Sequence, residues 1–404
     1  MGDSIIDVRG PPLPELTREQ LQTNWIWLPH WSEETISTGK VAVFQRNFEV
    51  IGSPTAATIH LTADTRYKLF VNGRRVAVGP SRSTTSLWFF DTVDIGAFLR
   101  QGHNEVSVHV MRLFPAAEGG TPFVRSSLPG LTVVGRVAMA EGDCVLDSCS
   151  GWTAYETGLR FAIDMEDDAF LKVFEEVKLP AFHIPTKAQP YSFSTSTGGM
   201  TPWSLEPRIN PLPVASEGNV QTVRVVSSHV DSAWSDFFLH DKPICLPPQS
   251  QHRLELEFSD YMTAFTTWHF LQAGGSSHVR ITYSEGYEKQ PRMRPWLRTK
   301  GDRTDPDSGE LYGPYDSVTV SGEASYEPFW YRAFRFLAID VDVGEGDLTL
   351  QSFCASQTNY PLPLVGSWSS ASVVEQRIWQ VSVSTLRACL YDGYSDCPFY
   401  EQLQ

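Results

Sequence analysis

The side chains best suited to chemistry lie in the last fourteen residues, Tyr391-Asp-Gly-Tyr-Ser-Asp-Cys-Pro-Phe-Tyr-Glu-Gln-Leu-Gln404. Asp396 and Glu401 stand five positions apart, Pro398 stiffens the chain between them, and Tyr394, Phe399 and Tyr400 supply aromatic surface. A carboxyl group held against aromatic rings loses hydration. That disfavours its charged form and lifts its pKa toward the range of a useful general acid. The spacing alone describes a solvated acidic loop better than a catalytic one. Other catalytic signatures are missing. The sequence has no phosphate loop, no dinucleotide-binding glycine fingerprint, no HExxH pair and no GxSxG elbow. His269 and His278 flank a glycine pair and read as surface or core histidines rather than metal ligands. The cysteines at 144, 149, 245, 354, 389 and 397 have neither metal-knuckle spacing nor a dense disulfide framework. Cys144 and Cys149 are close enough in sequence for a local disulfide, but buried thiols suit a chain of this size better. No cofactor and no metal is therefore expected, and the pattern is silent on calcium.

The elements that must position the terminal segment are mostly strands. After a proline-bearing leader over 1–24, with a helical turn near Thr17–Gln22, strand patterns run from Trp25 onward. They cover Val41–Val50, Thr55–Ala63, Tyr67–Val71, Val76–Val78 and Asn104–Met111, then Leu131–Met139 and Phe170–Val177. Asn72-Gly73 between two of them is a strong hairpin signal, and Gly79-Pro80 breaks the return strand. In Asn104–Met111 the valines at 106, 108 and 110 share one face, since strand side chains alternate. Strands recurring roughly every 8–12 residues with turns between them predict an antiparallel β-sandwich. Residues 114–130 and 184–220, rich in Pro, Gly and Ser, read as loops or linkers. A second β block holds Arg253–Phe258, Phe265–Leu271, Val279–Tyr283, Ser317–Val320, Phe334–Val341 and Leu348–Phe353, with Glu285–Gly313 as a charged surface excursion. Past Tyr360-Pro-Leu-Pro363 the period changes. Val374, Ile378, Val381, Leu386 and Leu390 recur at helical spacing, so 371–390 is expected to be a helix. Ser370 or Ser372 can cap its start and Gly393 can end it. Its apolar face calls for a partner, either the second sandwich or elements beyond it.

The bulk numbers exclude some roles. With 32 basic and 47 acidic residues the net charge is −15, which disfavours nucleic acid and anionic membrane surfaces as partners. The 12 tryptophans suit thick sandwich cores or aromatic faces for sugar rings. The start Met1-Gly-Asp-Ser-Ile-Ile-Asp has neither a basic nor an apolar leader region, and no run of about 18 apolar residues follows. A cytoplasmic protein is the expectation. Met1-Gly2 alone is a weak acylation hint that Val8 and Arg9 do not strengthen. Oligomeric state is not legible.

Asp396-Cys397-Pro398-Phe399-Tyr400-Glu401-Gln402 resembles the Asp-Cys-Pro signature of glycoside hydrolase family 78, the α-L-rhamnosidases, in the branch that carries Asp-Cys-Pro-x-Tyr-Glu-Gln. The resemblance implies Glu401 as general acid and Asp396 as a holder of sugar hydroxyls, with Tyr400 in the substrate site. Other stretches resemble the family in the same order. Tyr67-Lys-Leu-Phe-Val-Asn-Gly73 is similar to its galactose-binding-like sandwich, as is Gly102-x-Asn104. Ile281-Thr-Tyr-Ser-Glu285 and Tyr326-Glu-Pro-Phe-Trp-Tyr-Arg-Ala-Phe-Arg-Phe336 are similar to its central β-sandwich. Tyr360-Pro361-Leu362, Gly366-x-Trp368 and the helix after them are similar to the entry of its six-hairpin (α/α)6 barrel.

These readings give a mainly β chain in four parts. They are a leader (1–24), a galactose-binding-like sandwich with insertions (25–220), a second, concanavalin-like sandwich (221–355), and the beginning of a six-hairpin domain (356–404). The family pattern continues past this point. Its second Asp after the loop and its distant Glu base are not matched here. The resemblance therefore implies an inverting rhamnosidase-like hydrolase represented by a fragment, inactive alone for want of its general base. Two alternatives stand beside it. One is a non-catalytic carbohydrate-binding protein, with Trp88, Phe89 and Phe90 as a sugar platform if they are not core. The other is a related six-hairpin glycosidase acting on another sugar. All three imply a carbohydrate partner.

Overall fold

The computed structural model describes residues 13–33, 39–114, 124–161, 174–181, 183–191, 201–290, 297–399 and 402. The chain is mainly β and forms two compact units.

In the first unit two sheets pack face to face. One runs in the order Gln189–Pro190, Trp25–Trp27, Gly130–Ala138, Ala56–Asp64, Trp88–Asp94 and Leu205–Pro207. The other runs Thr186–Lys187, Thr153–Glu156, Gly39–Val50, Gly102–Leu113, Arg66–Val71 and Arg74–Gly79. Period-2 alternation accounts for the core. Val106, Val108 and Val110 point inward from one sheet and meet Ile59, Leu61 and Val133 from the other, all fully buried. Each such side chain contributes about 1.5–3 kcal/mol by leaving water.

The expected hairpin forms at Asn72-Gly73, with φ of 50° and 76° at the two turn residues. Both values lie in the left-handed region that Asn and Gly tolerate best. Asn72 also ties the hairpin to the sheet. Its Nδ2 donates to Phe98 O (3.0 Å) and Asn104 Oδ1 (2.8 Å), while its Oδ1 accepts from Glu105 N (3.0 Å).

The outer face of the first sheet is covered by α1 (Glu15–Thr23) and the segment around Trp203, whose ring stacks on Trp25 with centroids 3.6 Å apart. Trp88, Phe89 and Phe90 are 1 %, 7 % and 2 % exposed. That run is therefore core and offers no platform to a sugar.

The second unit is built on one large sheet. Its main path runs Arg160–Phe161, Glu175–Leu179, Tyr315–Val320, Ser277–Ser284, Arg332–Asp342, Gln251–Gln272, Leu348–Asn359 and Val214–Gly218. Arg253–Phe258 and Phe265–Leu271, expected as separate strands, are halves of the single strand Gln251–Gln272. Its register against Arg332–Asp342 slips between Glu257 and Met262. One half also pairs with Val220–Ser227 and the other with Leu348–Gln357, so the strand changes partners along its length.

Two further differences from the sequence reading have clear causes. Residues 158–161, 174–181 and 213–220 fall in the second unit rather than before a boundary at 220, because Glu176–Leu179 pairs in parallel with Ser317–Val320 and Val214–Gly218 pairs with Ala355–Asn359. Parallel partners distant in sequence leave no local signal. The excursion after Glu285 is not wholly on the surface. Tyr287 and Glu288 are buried and pair with Glu310–Leu311.

A helix not expected from the sequence, α2 (Asp231–His240), buries Trp234, Phe237 and Phe238 and ends on Asp241 at φ 53°. The expected helix forms as α3 (Val373–Ala388). Ser372 settles the choice of cap, its Oγ accepting from Glu375 N at 3.3 Å. The helix ends at Cys389, before Gly393. Val373, Val374, Ile378 and Val381 on it are exposed. Among the described residues no helix is long and apolar enough to cross a membrane.

Candidate functional site

Glu401 and Tyr400 lie outside the described residues. Asp396 is described and exposed, and its backbone carbonyl accepts from the Cys389 thiol at 3.7 Å. Around it the chain makes a tight reversal off the end of α3. Ser395 N donates to Cys389 O (2.8 Å), Leu390 and Tyr394 form an antiparallel bridge, and Tyr360 N donates to Leu390 O (3.0 Å). Asn359 clamps the same corner. Its Nδ2 donates to Arg387 O (2.9 Å) and Thr263 Oγ1 (2.8 Å), joining the last turn of α3 to the sheet. Carbonyls at a helix end have no partner within the helix, so a side-chain amide suits that place.

The loop rests on an aromatic wall. Tyr391 packs on Tyr331 and Trp330, with ring centroids 4.6 and 5.6 Å away, and all three rings are buried. Of the three aromatics expected to line the loop, Phe399 is buried and Tyr394 is 73 % exposed; Tyr400 is the one not described. Burial pushes the Cys389 thiol pKa up, helped by Cys397 and Asp396. The Tyr261 phenol, close to the same thiols, is pushed well up by burial and then by Glu285, Cys397 and Cys389. Burial thus dehydrates this thiol and this phenol beside the reversal.

Beneath the wall lies a buried ionic network. Arg332 donates to both oxygens of Asp316, through Nη2 at 2.8 Å and Nε at 3.0 Å, and through Nη1 to Trp330 O at 3.1 Å. Asp316 also accepts from Tyr283 OH (2.8 Å) and Glu175 N (2.7 Å). Glu175 in turn accepts from Tyr326 OH (3.1 Å) and Phe329 N. Burial works against the charge on Arg332, yet Asp316 and Glu175 hold its pKa above the usual arginine value. The result is that the turn 326–332, which carries Trp330 and Tyr331, is pinned from below. Sequence reading singled out Tyr326–Phe336 but missed Asp316 and Glu175. Glu175 sits 141 positions before Asp316, and neither stands in a motif of its own.

His269 is exposed on its strand, and His278 is half-buried with Nε2 3.3 Å from Ser317 Oγ. Among the described residues no group of three or more His, Cys, Asp or Glu side chains is placed to hold a metal ion. Two cavities lie away from the terminal loop. One, of about 490 Å³, is lined by His229, Ser250 and Asp342, and the other, of about 450 Å³, by Gln20, His60 and Asp147.

With this geometry established, comparison with solved structures gives the class. The chain shares its fold with α-L-rhamnosidases. The family 78 rhamnosidase of Bacillus sp. GL1 superposes with a TM-score of 0.64 at 16 % identity, covering 94 % of this chain and 59 % of that one. The α-L-rhamnosidase from Dictyoglumus thermophilum gives 0.62 at 14 % identity, covering 95 % and 41 %. That from Aspergillus terreus gives 0.59 at 16 % identity, again covering 95 % and 41 %. The chain therefore spans between about two fifths and three fifths of the length of these relatives. At such identities the likeness is one of fold. No protein-family model matches the sequence. No curated protein matches it either.

Proposed function

We propose that this chain supplies the acid side of a rhamnosidase-like glycoside hydrolase. The observation that carries the reading is the seating of the Asp396 loop. In a fold shared with α-L-rhamnosidases, Tyr391, which follows α3 and stands five residues before Asp396, packs on Tyr331 and Trp330, and the chain reverses there with Asp396 exposed. In this reading Glu401 is the general acid. It gives its proton to the glycosidic oxygen as the bond to the anomeric carbon breaks and positive charge builds on the sugar ring. Asp396, exposed at the reversal, accepts hydrogen bonds from sugar hydroxyls. Tyr400 presents a ring to the apolar face of the sugar. Inversion needs a second carboxylate to activate water on the opposite face, with roughly 6.5–9.5 Å between the two carboxyls. The proposal assigns that base to no residue of this chain, so the chain by itself binds sugar and does not turn it over.

The test is ligand-observed NMR on the full chain with L-rhamnose, D-galactose and D-glucose. Binding of rhamnose in preference to the other two is expected, with loss in Asp396→Asn and retention in Glu401→Gln. Equal signals for all three sugars, or rhamnose binding indifferent to Asp396→Asn, would defeat the reading.

A further inference from the structure

We propose that Cys389 and Cys397 form a redox-responsive staple that closes the terminal loop. The backbone has already done most of the work. The Ser395 N to Cys389 O bond and the Leu390–Tyr394 bridge turn the chain back on itself, and the Cys389 sulfur lies 3.7 Å from the carbonyl oxygen of the residue before Cys397. Standard peptide dimensions then put the Cys397 Cα no more than about 7 Å from that sulfur. Adding the length of the Cys389 side chain puts the two Cα atoms no more than about 10 Å apart. Disulfides span Cα separations of roughly 4.4–6.8 Å, so bridging asks for side-chain rotation and a backbone closure of at most about 3 Å.

Both residues are half-buried, so a small oxidant reaches them. The backbone N–H of Phe399 points at the Cys397 sulfur from 3.4 Å, a contact that favours the thiolate. Burial, then Cys397 and Asp396, disfavour it at Cys389. Cys397 is accordingly the attacking sulfur. With a glutathione-type disulfide as oxidant, the Cys397 thiolate bonds to one sulfur and expels one thiolate, leaving a mixed disulfide. Cys389 then loses its proton, attacks the Cys397 sulfur and expels the second. Two protein thiols are oxidised to one disulfide and one small disulfide is reduced to two thiols. The Asp396 peptide lies inside the closed ring, so oxidation fixes the residue proposed to hold the sugar. Only this consequence rests on the proposed function; the bond does not.

The experiment treats the whole chain with oxidised glutathione at about pH 8, then digests it unreduced at Asp and aromatic positions for mass spectrometry. The expected product is a pair of peptides joined through Cys389 and Cys397, two hydrogens lighter than their sum and separated by dithiothreitol. Amide exchange over 389–399 should slow, and the melting temperature should rise by a few degrees. Cys389→Ala should give a glutathione adduct on Cys397 instead. Adducts on both residues without a joined pair, or a joined pair that leaves exchange in the loop unchanged, would overturn the proposal. Sugar binding is read on reduced and oxidised chain side by side. A reduced chain that binds nothing counts against the proposed function and leaves the staple standing.

Discussion

Arg332 and Asp316 face each other through two hydrogen bonds, of 2.8 and 3.0 Å, and both side chains are fully out of water. The carboxylate left over, Glu175, lies 3.7 Å from the same guanidinium and is satisfied by backbone and phenol donors. The strand carrying Asp316, the strand opening at Glu175 and the turn before Arg332 are thereby joined at one point of the second unit.

Removing one member should leave an uncompensated buried charge, which costs far more than the pair's net worth. Arg332→Met is expected to destabilise the second unit by about 3–5 kcal/mol. Arg332→Lys should rescue little, because an ammonium cannot present the two-pronged fork that Asp316 accepts. Urea unfolding of the three proteins measures this. A lysine variant as stable as wild type would show that charge alone suffices.

His252 should make stability depend on pH. Ser228 Oγ already accepts from Val230 N (3.1 Å) and Trp234 Nε1 (2.9 Å), so its own proton goes to His252 Nδ1 at 2.8 Å. The ring proton then sits on Nε2 and is donated to Ser250 Oγ at 2.7 Å. The ring is thereby fixed in its neutral form. Burial, then His229, push its pKa below the usual value, with Asp231 opposing. Unfolded histidine takes a proton near pH 6.5, before the folded one does. The contribution is therefore present above about pH 6.5 and lost as pH falls through the folded pKa. Comparing urea midpoints of wild type and His252→Gln cancels the parallel effect of His60, also lowered by burial. The gap between them should be widest above pH 7 and narrow below pH 6. A constant gap would mean that the ring's protonation is not coupled to folding.

Tyr391→Ala should free the terminal reversal without unfolding the sheet. The ring's contacts with Tyr331 and Trp330 hold the loop, whereas the strands beneath pair independently. A loss of about 2 kcal/mol in local stability is expected, which is roughly thirtyfold faster amide exchange over 389–399. Exchange in 332–342 should not change. Acceleration in both segments would show that the wall is part of the unit's cooperative core.

How much was legible varies with how local each signal is. Asn72-Gly73 announced its turn because two residues set the backbone there, and the valines of Gly102–Leu113 announced their face because strand side chains alternate. α2 was missed because its apolar residues, Trp234, Phe237 and Phe238, fit a short buried run as well as a helix. The candidate site divides the same way. Asp396 and its neighbours stood out as one contiguous motif, while the wall beneath came together from the turn 326–332 and from Tyr391.

By itself the sequence determined that this is a chain of sandwich-forming strands ending in a helix and an acidic, aromatic loop. Periodicity, turn residues and caps act over a few residues and need no partner to be read. Only the tertiary structure decided that Trp88, Phe89 and Phe90 are core, that Glu175–Leu179 pairs in the second sheet, and that one guanidinium holds the turn under the loop. Those outcomes depend on dehydration and hydrogen bonding between residues that lie on different elements, from 16 to more than a hundred positions apart, and neither leaves a trace in local spacing.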